Sequence, residues 1–203
     1  MKLFYTPGAC SLSPHIILRE TGQAFDLERV EFRSKTTELG RDYKTINPKG
    51  YVPALLLDNG EILTEATAIV QYIADLNGDA KLAPKHGTLD RARLQEHLSY
   101  ISSEIHKSFA PLFTRETSRE GRQAAVADVA EKFDVVESVL ADGRDYLVGN
   151  MFSVADVHLY VISSWAVPTK IGLDKWPHIA ALAARVGARA SVVAARAAEG
   201  LSG

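Results

Sequence analysis

The sequence predicts two domains of different class: an α/β domain over residues 1–80, then an all-α domain over residues 88–203. Three observations carry this expectation. Over the first 80 residues short apolar runs and helical stripes follow the order β-α-β, an irregular stretch, then β-β-α, which suits one sheet with helices packed against it. From Asn77 to Thr88 the chain contains Gly78, Pro84 and Gly87 and reads as a connection. Beyond it, every apolar pattern has helical spacing. At 203 residues, roughly 70% of the unfolded surface can be buried, enough for a core without disulfides or metals.

The elements follow in order. Leu3-Phe4-Tyr5 reads as a short strand ended by Pro7-Gly8. A helix is expected from near Ser11 to Thr21, with Pro14 in its first turn and Gly22 as its stop. Phe25 to Phe32 reads as a second strand. Ala54 to Leu57 and Ile62-Leu63, joined through Asp58-Asn59-Gly60, carry a hairpin signal. Glu65 to Leu76 follows as a helix with Ala68, Ile69, Tyr72, Ile73 and Leu76 on its apolar face. Leu94, Leu98, Ile101, Ile105 and Leu112 form a stripe on one long helix, and Val126, Val129, Phe133, Val136 and Leu140 form another. Ser153-Val154-Ala155-Asp156 resembles a capping box, flanked by Phe152 and Val157 as a staple. Ile179 to Gly200 holds 10 alanines in 22 residues, which suits close helix packing.

Composition narrows the function. Lys+Arg is 23 against Asp+Glu 25, a net −2, and this lacks the basic excess of a general nucleic-acid or membrane-surface binder. One cysteine excludes an intrachain disulfide and a thiolate-based zinc or iron–sulfur site, so no metal is expected. The uncharged stretch Val157 to Thr169 is 13 residues long, short of the roughly 20 that span a bilayer. The N-terminal apolar run, Leu3 to Tyr5, is below the roughly 7–15 residues of an export signal. The expectation is a cytoplasmic protein with no nucleic-acid or membrane partner.

Cys10 lies between the first strand and the first helix, where unpaired N–H groups and the helix dipole favour a thiolate. The run Cys10-Ser11-Leu12-Ser13 has the form of a thiol–disulfide site with Ser13 in place of the second cysteine. The alternative for Cys10 is a buried small hydrophobe, and position alone leaves both open. In Val52-Pro53 a proline enters a strand, as it can at a first residue or an edge. With the strand order and the thiol, this resembles the thioredoxin fold, which places a cis proline opposite the thiol. The resemblance implies that Val52 offers its backbone N–H and C=O to a peptide-like ligand.

The whole chain resembles a glutathione transferase, specifically of the bacterial beta class. The matching stretches are Tyr5-Thr6-Pro7-Gly8-Ala9-Cys10-Ser11, Asn47-Pro48-Lys49-Gly50-Tyr51-Val52-Pro53-Ala54-Leu55 and Leu63-Thr64-Glu65-Ala66-Thr67-Ala68-Ile69. Glu104-Ile105-His106-Lys107 and Phe152-Ser153-Val154-Ala155-Asp156 follow in the family's order.

The resemblance implies a role for each position. Cys10 lies beside the glutathione sulfur and can form a mixed disulfide with it; Lys35 holds the glycyl carboxylate; Val52 bonds the cysteinyl backbone. Glu65 takes the γ-glutamyl ammonium and the Ala66 backbone N–H its carboxylate, a set that complements the tripeptide's charges. Ser99, Ser103 and His106, at i, i+4 and i+7, share a polar stripe. In the beta class this part of the helix, with Glu104, completes the site near the sulfur. Ser99 stands where the family usually has Asn, and Ala66 where serine is common, so only the backbone contact of Ala66 carries over. Tyr5, the position other classes use, reads as structural here.

Glutathione is thus the implied co-substrate, with no tightly bound cofactor, a hydrophobic electrophile as its partner in reaction, and a homodimer as the assembly. Apolar residues around Phe109 to Phe113 and Trp165 read as core more than as an electrophile pocket. Two rival readings keep the same site: a glutaredoxin-like thiol–disulfide reductase acting through a Cys10 mixed disulfide, and a non-enzymatic glutathione-binding protein.

Overall fold

The computed structural model describes residues 1–78 and 81–201. The chain divides into two compact units, Met1–Leu82 joined by the C-terminal segment from Ala188, and Ala83–Gly187.

The first unit is built on a four-stranded sheet of order β2-β1-β3-β4. Strand β1 (Lys2–Tyr5) pairs parallel with β2 (Asp26–Arg29) and antiparallel with β3 (Ala54–Leu56), and β3 pairs antiparallel with β4 (Ile62–Thr64). This is the mixed sheet that a thioredoxin-like β-α-β, β-β-α order requires. The hairpin closes as its sequence predicts: Gly60, at φ +89, donates to the Leu57 carbonyl at 3.0 Å. Helix α1 (Leu12–Glu20) ends before Gly22, whose φ of +66 stops the helix where expected. Strand β2 is shorter than the expected Phe25 to Phe32; Phe32 is exposed, and the buried position is Glu28. That carboxylate accepts from Arg41 Nη2 at 2.5 Å and Lys2 Nζ at 3.1 Å. Burial acts to raise its pKa, but these donors and Thr37 hold it below the usual carboxylate value.

Helix α2 (Ala66–Leu76) buries Ile69, Val70, Ile73 and Ala74. Its buried face is therefore rotated from the expected one, with Leu76 largely exposed and Tyr72 at the edge. Leu3, Ile16, Ile17, Leu55, Ile69 and Ile73 are fully buried between sheet and helices, each contributing roughly 1.5–3 kcal/mol of transfer free energy. Helix α9 (Ala190–Ala198) packs on α1, and Glu20 of α1 accepts from Arg189 and Ser191. The expectation of one helical domain from 88 to 203 differs from this division. Alanine-rich sequence permits close packing but does not specify the partner.

The second unit is helical. Helix α3 (Leu89–Tyr100), capped by Thr88, runs into a π-helical turn at Ile101–Ile105, then α4 (His106–Ser108) and α5 (Ala110–Phe113). The single long helix expected here is thus interrupted. Pro111 lacks an N–H and its ring crowds the carbonyl four residues back, and the π turn inserts extra backbone into the ladder. Helix α6 (Arg119–Leu140) buries Ala125, Val129, Phe133, Val136 and Leu140, with Ala125 in the place expected for the half-exposed Val126. Helices α7 (Val154–Ser163) and α8 (Pro177–Gly187) complete the unit.

The capping box at α7 is present. The buried Asp156 carboxylate accepts from the N–H groups of Leu147 and Ser153, both at 2.8 Å, and from Ser153 Oγ at 2.7 Å. Burial outweighs these bonds and pushes Asp156 up to about 6, from 3.8. A raised folded-state pKa contributes stability below the unfolded value and loses it as pH rises through the folded one. Asp156→Ala should therefore cost roughly 3 kcal/mol near pH 4, from stranded buried donors, with a smaller loss at pH 7. Denaturant unfolding at the two pH values checks both the loss and its sign.

Candidate functional site

In the first unit Cys10 follows β1, Lys35 follows β2, Val52 precedes β3, and Glu65 and Ala66 lead from β4 into the start of α2. Cys10 is half-buried in the turn between β1 and α1. Its Sγ donates to the Val52 carbonyl at 3.4 Å, so the thiol and the backbone expected to hold a peptide-like ligand are in contact. The Val52-Pro53 bond is cis, as expected. The first N–H groups of α1 are engaged more than the sequence implies: Leu12 donates to Ala9 O at 2.9 Å and Ser13 to Cys10 O at 3.1 Å. The sulfur itself turns to Val52.

Two residues to which the sequence assigned no role fix Val52. Tyr43 Oη and Asn47 Nδ2 both donate to the Tyr51 carbonyl, at 2.9 and 2.7 Å, orienting the Tyr51–Val52 peptide. Burial pushes the Tyr43 hydroxyl up to about 12, keeping it a donor. The Asn47-Pro48-Lys49-Gly50 turn signal was available for Asn47; nothing local marks Tyr43.

Lys35 and Glu65 have non-glycine backbones at positive φ, +57 and +70. Such conformations cost free energy and cluster where function demands them. Lys35 Nζ sits 4.2 Å from the Phe32 ring centroid and 5.5 Å from that of Tyr51. Burial, then the charge of Lys44, lowers its pKa. A cleft of about 470 Å³ includes Arg33, Lys35 and Lys44 in its lining, a cationic setting suited to a carboxylate. Glu65 precedes α2, and its carboxylate accepts from Lys49 Nζ at 2.6 Å, a partner the sequence reading missed. Ala66 opens α2, so its N–H has no acceptor within that helix.

Within the helical unit Ser99, Ser103 and Glu104 are exposed and His106 is half-buried. Ser103 Oγ donates to Glu104 Oε1 at 3.0 Å. The π turn across Ile101–Ile105 changes the expected i, i+4, i+7 alignment, because each residue then turns through a smaller angle than in an α-helix. Ser102 instead meets the buried His158 Nε2 at 3.0 Å. Burial, reinforced by His106, pushes His158 down to about 3, so it is neutral. The His106 ring stands edge-on to Trp165 at 4.9 Å, and Phe109, Phe113 and Trp165 pack together, with Phe113 half-exposed. A cleft of about 740 Å³ in this unit, lined by Arg93, His97 and Arg144 among others, contains none of the candidate residues. Tyr5 is buried on β1 beside His15, consistent with a structural role.

Known proteins resemble the chain over its full length. Residues 8–76 match the glutathione S-transferase N-terminal domain and residues 100–190 the C-terminal domain. The chain is 44% identical over 201 residues to glutathione S-transferase GstA of Escherichia coli O157:H7, covering 99% of this chain and 100% of that one. The chain belongs to the glutathione S-transferase family. Among solved structures, a bacterial beta-class glutathione S-transferase from Sphingomonas chungbukensis is 48% identical with a TM-score of 0.95, covering all of both chains. A sphingomonad glutathione S-transferase complexed with glutathione is 49% identical over the full length of both, also at 0.95.

Proposed function

We propose that the protein joins reduced glutathione to electrophilic, largely apolar small molecules. The observation that carries this reading is the contact of Cys10 Sγ with the Val52 carbonyl, in a chain whose full-length relative was solved with glutathione. In the reaction the glutathione thiolate attacks an electrophilic carbon, a C–S bond forms, and the leaving group departs with its electron pair.

In this reading Val52 pairs with the cysteinyl backbone, Lys35 with the glycyl carboxylate, and Glu65 and the Ala66 N–H with the γ-glutamyl end. Cys10 lies beside the sulfur. Ser99, Ser103, Glu104 and His106 are the helical unit's contributors, His106 being the strongest donor among them. The relatives give the reductase reading no support. Product analysis tests the proposal: reduced glutathione with an activated aryl chloride should yield the S-aryl conjugate.

Assembly as a homodimer and a detoxifying role in the cytoplasm complete the proposal. Among the described residues no single helix is long and apolar enough to cross a membrane. Sedimentation at micromolar concentration should give about twice the 22.1 kDa of one chain; a monomer-sized particle would refute the dimer.

A further inference from the structure

Glu199 ends α9, 191 residues from the loop it serves. Its side chain has no solvent exposure, yet both oxygens are used outside its own helix. Oε2 accepts from the Gly8 N–H at 2.9 Å, and Oε1 meets His15 Nδ1 at 2.8 Å. Arg19 Nε donates to His15 Nε2 at 2.9 Å, so the imidazole proton sits on Nδ1 and points at the carboxylate. Leu201 covers the same spot: a side-chain carbon at Gly8 would meet its Cδ2 at 3.5 Å, and Gly8 has a φ of +71.

Gly8 belongs to the turn that carries Cys10. That turn is closed internally by Ala9 N donating to Thr6 O at 3.1 Å and by Ser11 Oγ donating to Thr6 O at 3.2 Å. It is therefore tied together internally, held from outside at Gly8 and meeting Val52 at Cys10. A fully buried carboxylate is unfavourable unless its oxygens are satisfied, and apolar packing alone would be served better by leucine.

We propose that Glu199 is a positioning residue that, through Gly8 and His15, sets the Cys10 turn so that the thiol faces the Val52 carbonyl. This rests on reading Cys10 as the residue beside the glutathione sulfur. Among the described residues His15 of α1 meets Glu199 directly, with Arg19 on the far nitrogen of the ring, and Tyr5 of β1 feels its charge; burial, then the Glu199 charge, raises the Tyr5 pKa.

The test reads the thiol itself, without turnover. Cys10 is the protein's one cysteine, so iodoacetamide alkylation as a function of pH reports on it alone. The Cys10–Val52 bond favours the protonated thiol, so loosening the turn should lower the alkylation midpoint. Glu199→Asp keeps the charge but is too short to reach both Gly8 and His15; Glu199→Gln removes the charge. Both variants should shift the midpoint down by about half a pH unit or more, a roughly threefold faster reaction below it. An unchanged midpoint in both overturns the proposal. A shift in Gln alone also overturns it, because charge and not position would then be responsible. If either variant fails to fold, Leu201→Ala is measured in its place, and an unshifted midpoint there counts against positioning in the same way. Calorimetry of the wild type with glutathione, run alongside, separates failure of this inference from failure of the glutathione reading.

Discussion

Glu65→Ala is expected to weaken glutathione binding at least tenfold. Loss of a hydrogen bond to a charged group costs about 1.5–3 kcal/mol, and each 1.4 kcal/mol is tenfold in affinity. In the free protein the Glu65 side chain is largely exposed and paired with Lys49; such surface pairs contribute little to stability. The variant should therefore fold normally, and the effect should fall on binding. Its backbone, at φ +70 and ψ +117, is held in a region that other residues avoid, which ties the side chain to one direction. Lys49→Ala provides the contrast, because it releases the carboxylate and should leave affinity within a few-fold of the wild type. Isothermal calorimetry on both variants decides; unchanged affinity in Glu65→Ala would count heavily against the proposed site.

The second large effect separates two chemistries. Cys10→Ala should keep a substantial part of conjugation while abolishing the mixed disulfide, because the variant has no sulfur to form it. The Cys10 thiol is engaged with Val52, and as a neutral S–H it is a weak donor. His106→Ala should depress conjugation. A thiol with a pKa of about 8.5 is only ~3% ionised at pH 7, and lowering it by about 2 units takes ~2.7 kcal/mol. A helix N-terminus supplies roughly 0.3–1 kcal/mol when exposed and up to ~2 when partly buried. Further donors must supply the remainder. Steady-state rates with an aryl chloride and with a glutathione mixed disulfide, on each variant, read the two chemistries apart.

Much of the first unit was legible because its signals are local. Asp58-Asn59-Gly60 fixes a turn and Gly22 stops a helix; in the second unit Ser153 with Asp156 starts one in the same local way. The apolar stripe from Leu94 to Leu112 was legible as burial but not as one helix, since apolar spacing survives a π turn and a proline break that interrupt the backbone ladder. On α2 the stripe was displaced by one position, because Ile69-Val70 and Ile73-Ala74 fit a helical face as well as the one expected. The site residues matching family motifs could be named from the sequence. Their supports could not: Tyr43, Lys49 and Glu199 act through contacts set by folding, and Glu199 reaches Gly8 from the far end of the chain. No pattern of spacing encodes such a contact.

The central claim is that conjugation proceeds from a glutathione thiolate whose activation does not depend on Cys10. Ultraviolet absorbance of the bound thiolate against pH, in the wild type, Cys10→Ala and His106→Ala, tests it most directly. The account predicts a bound thiol ionising well below its free value in the wild type and in Cys10→Ala, and at higher pH in His106→Ala. If Cys10→Ala eliminates conjugation while His106→Ala leaves the profile unchanged, the account is contradicted and a cysteine-centred reductase takes its place.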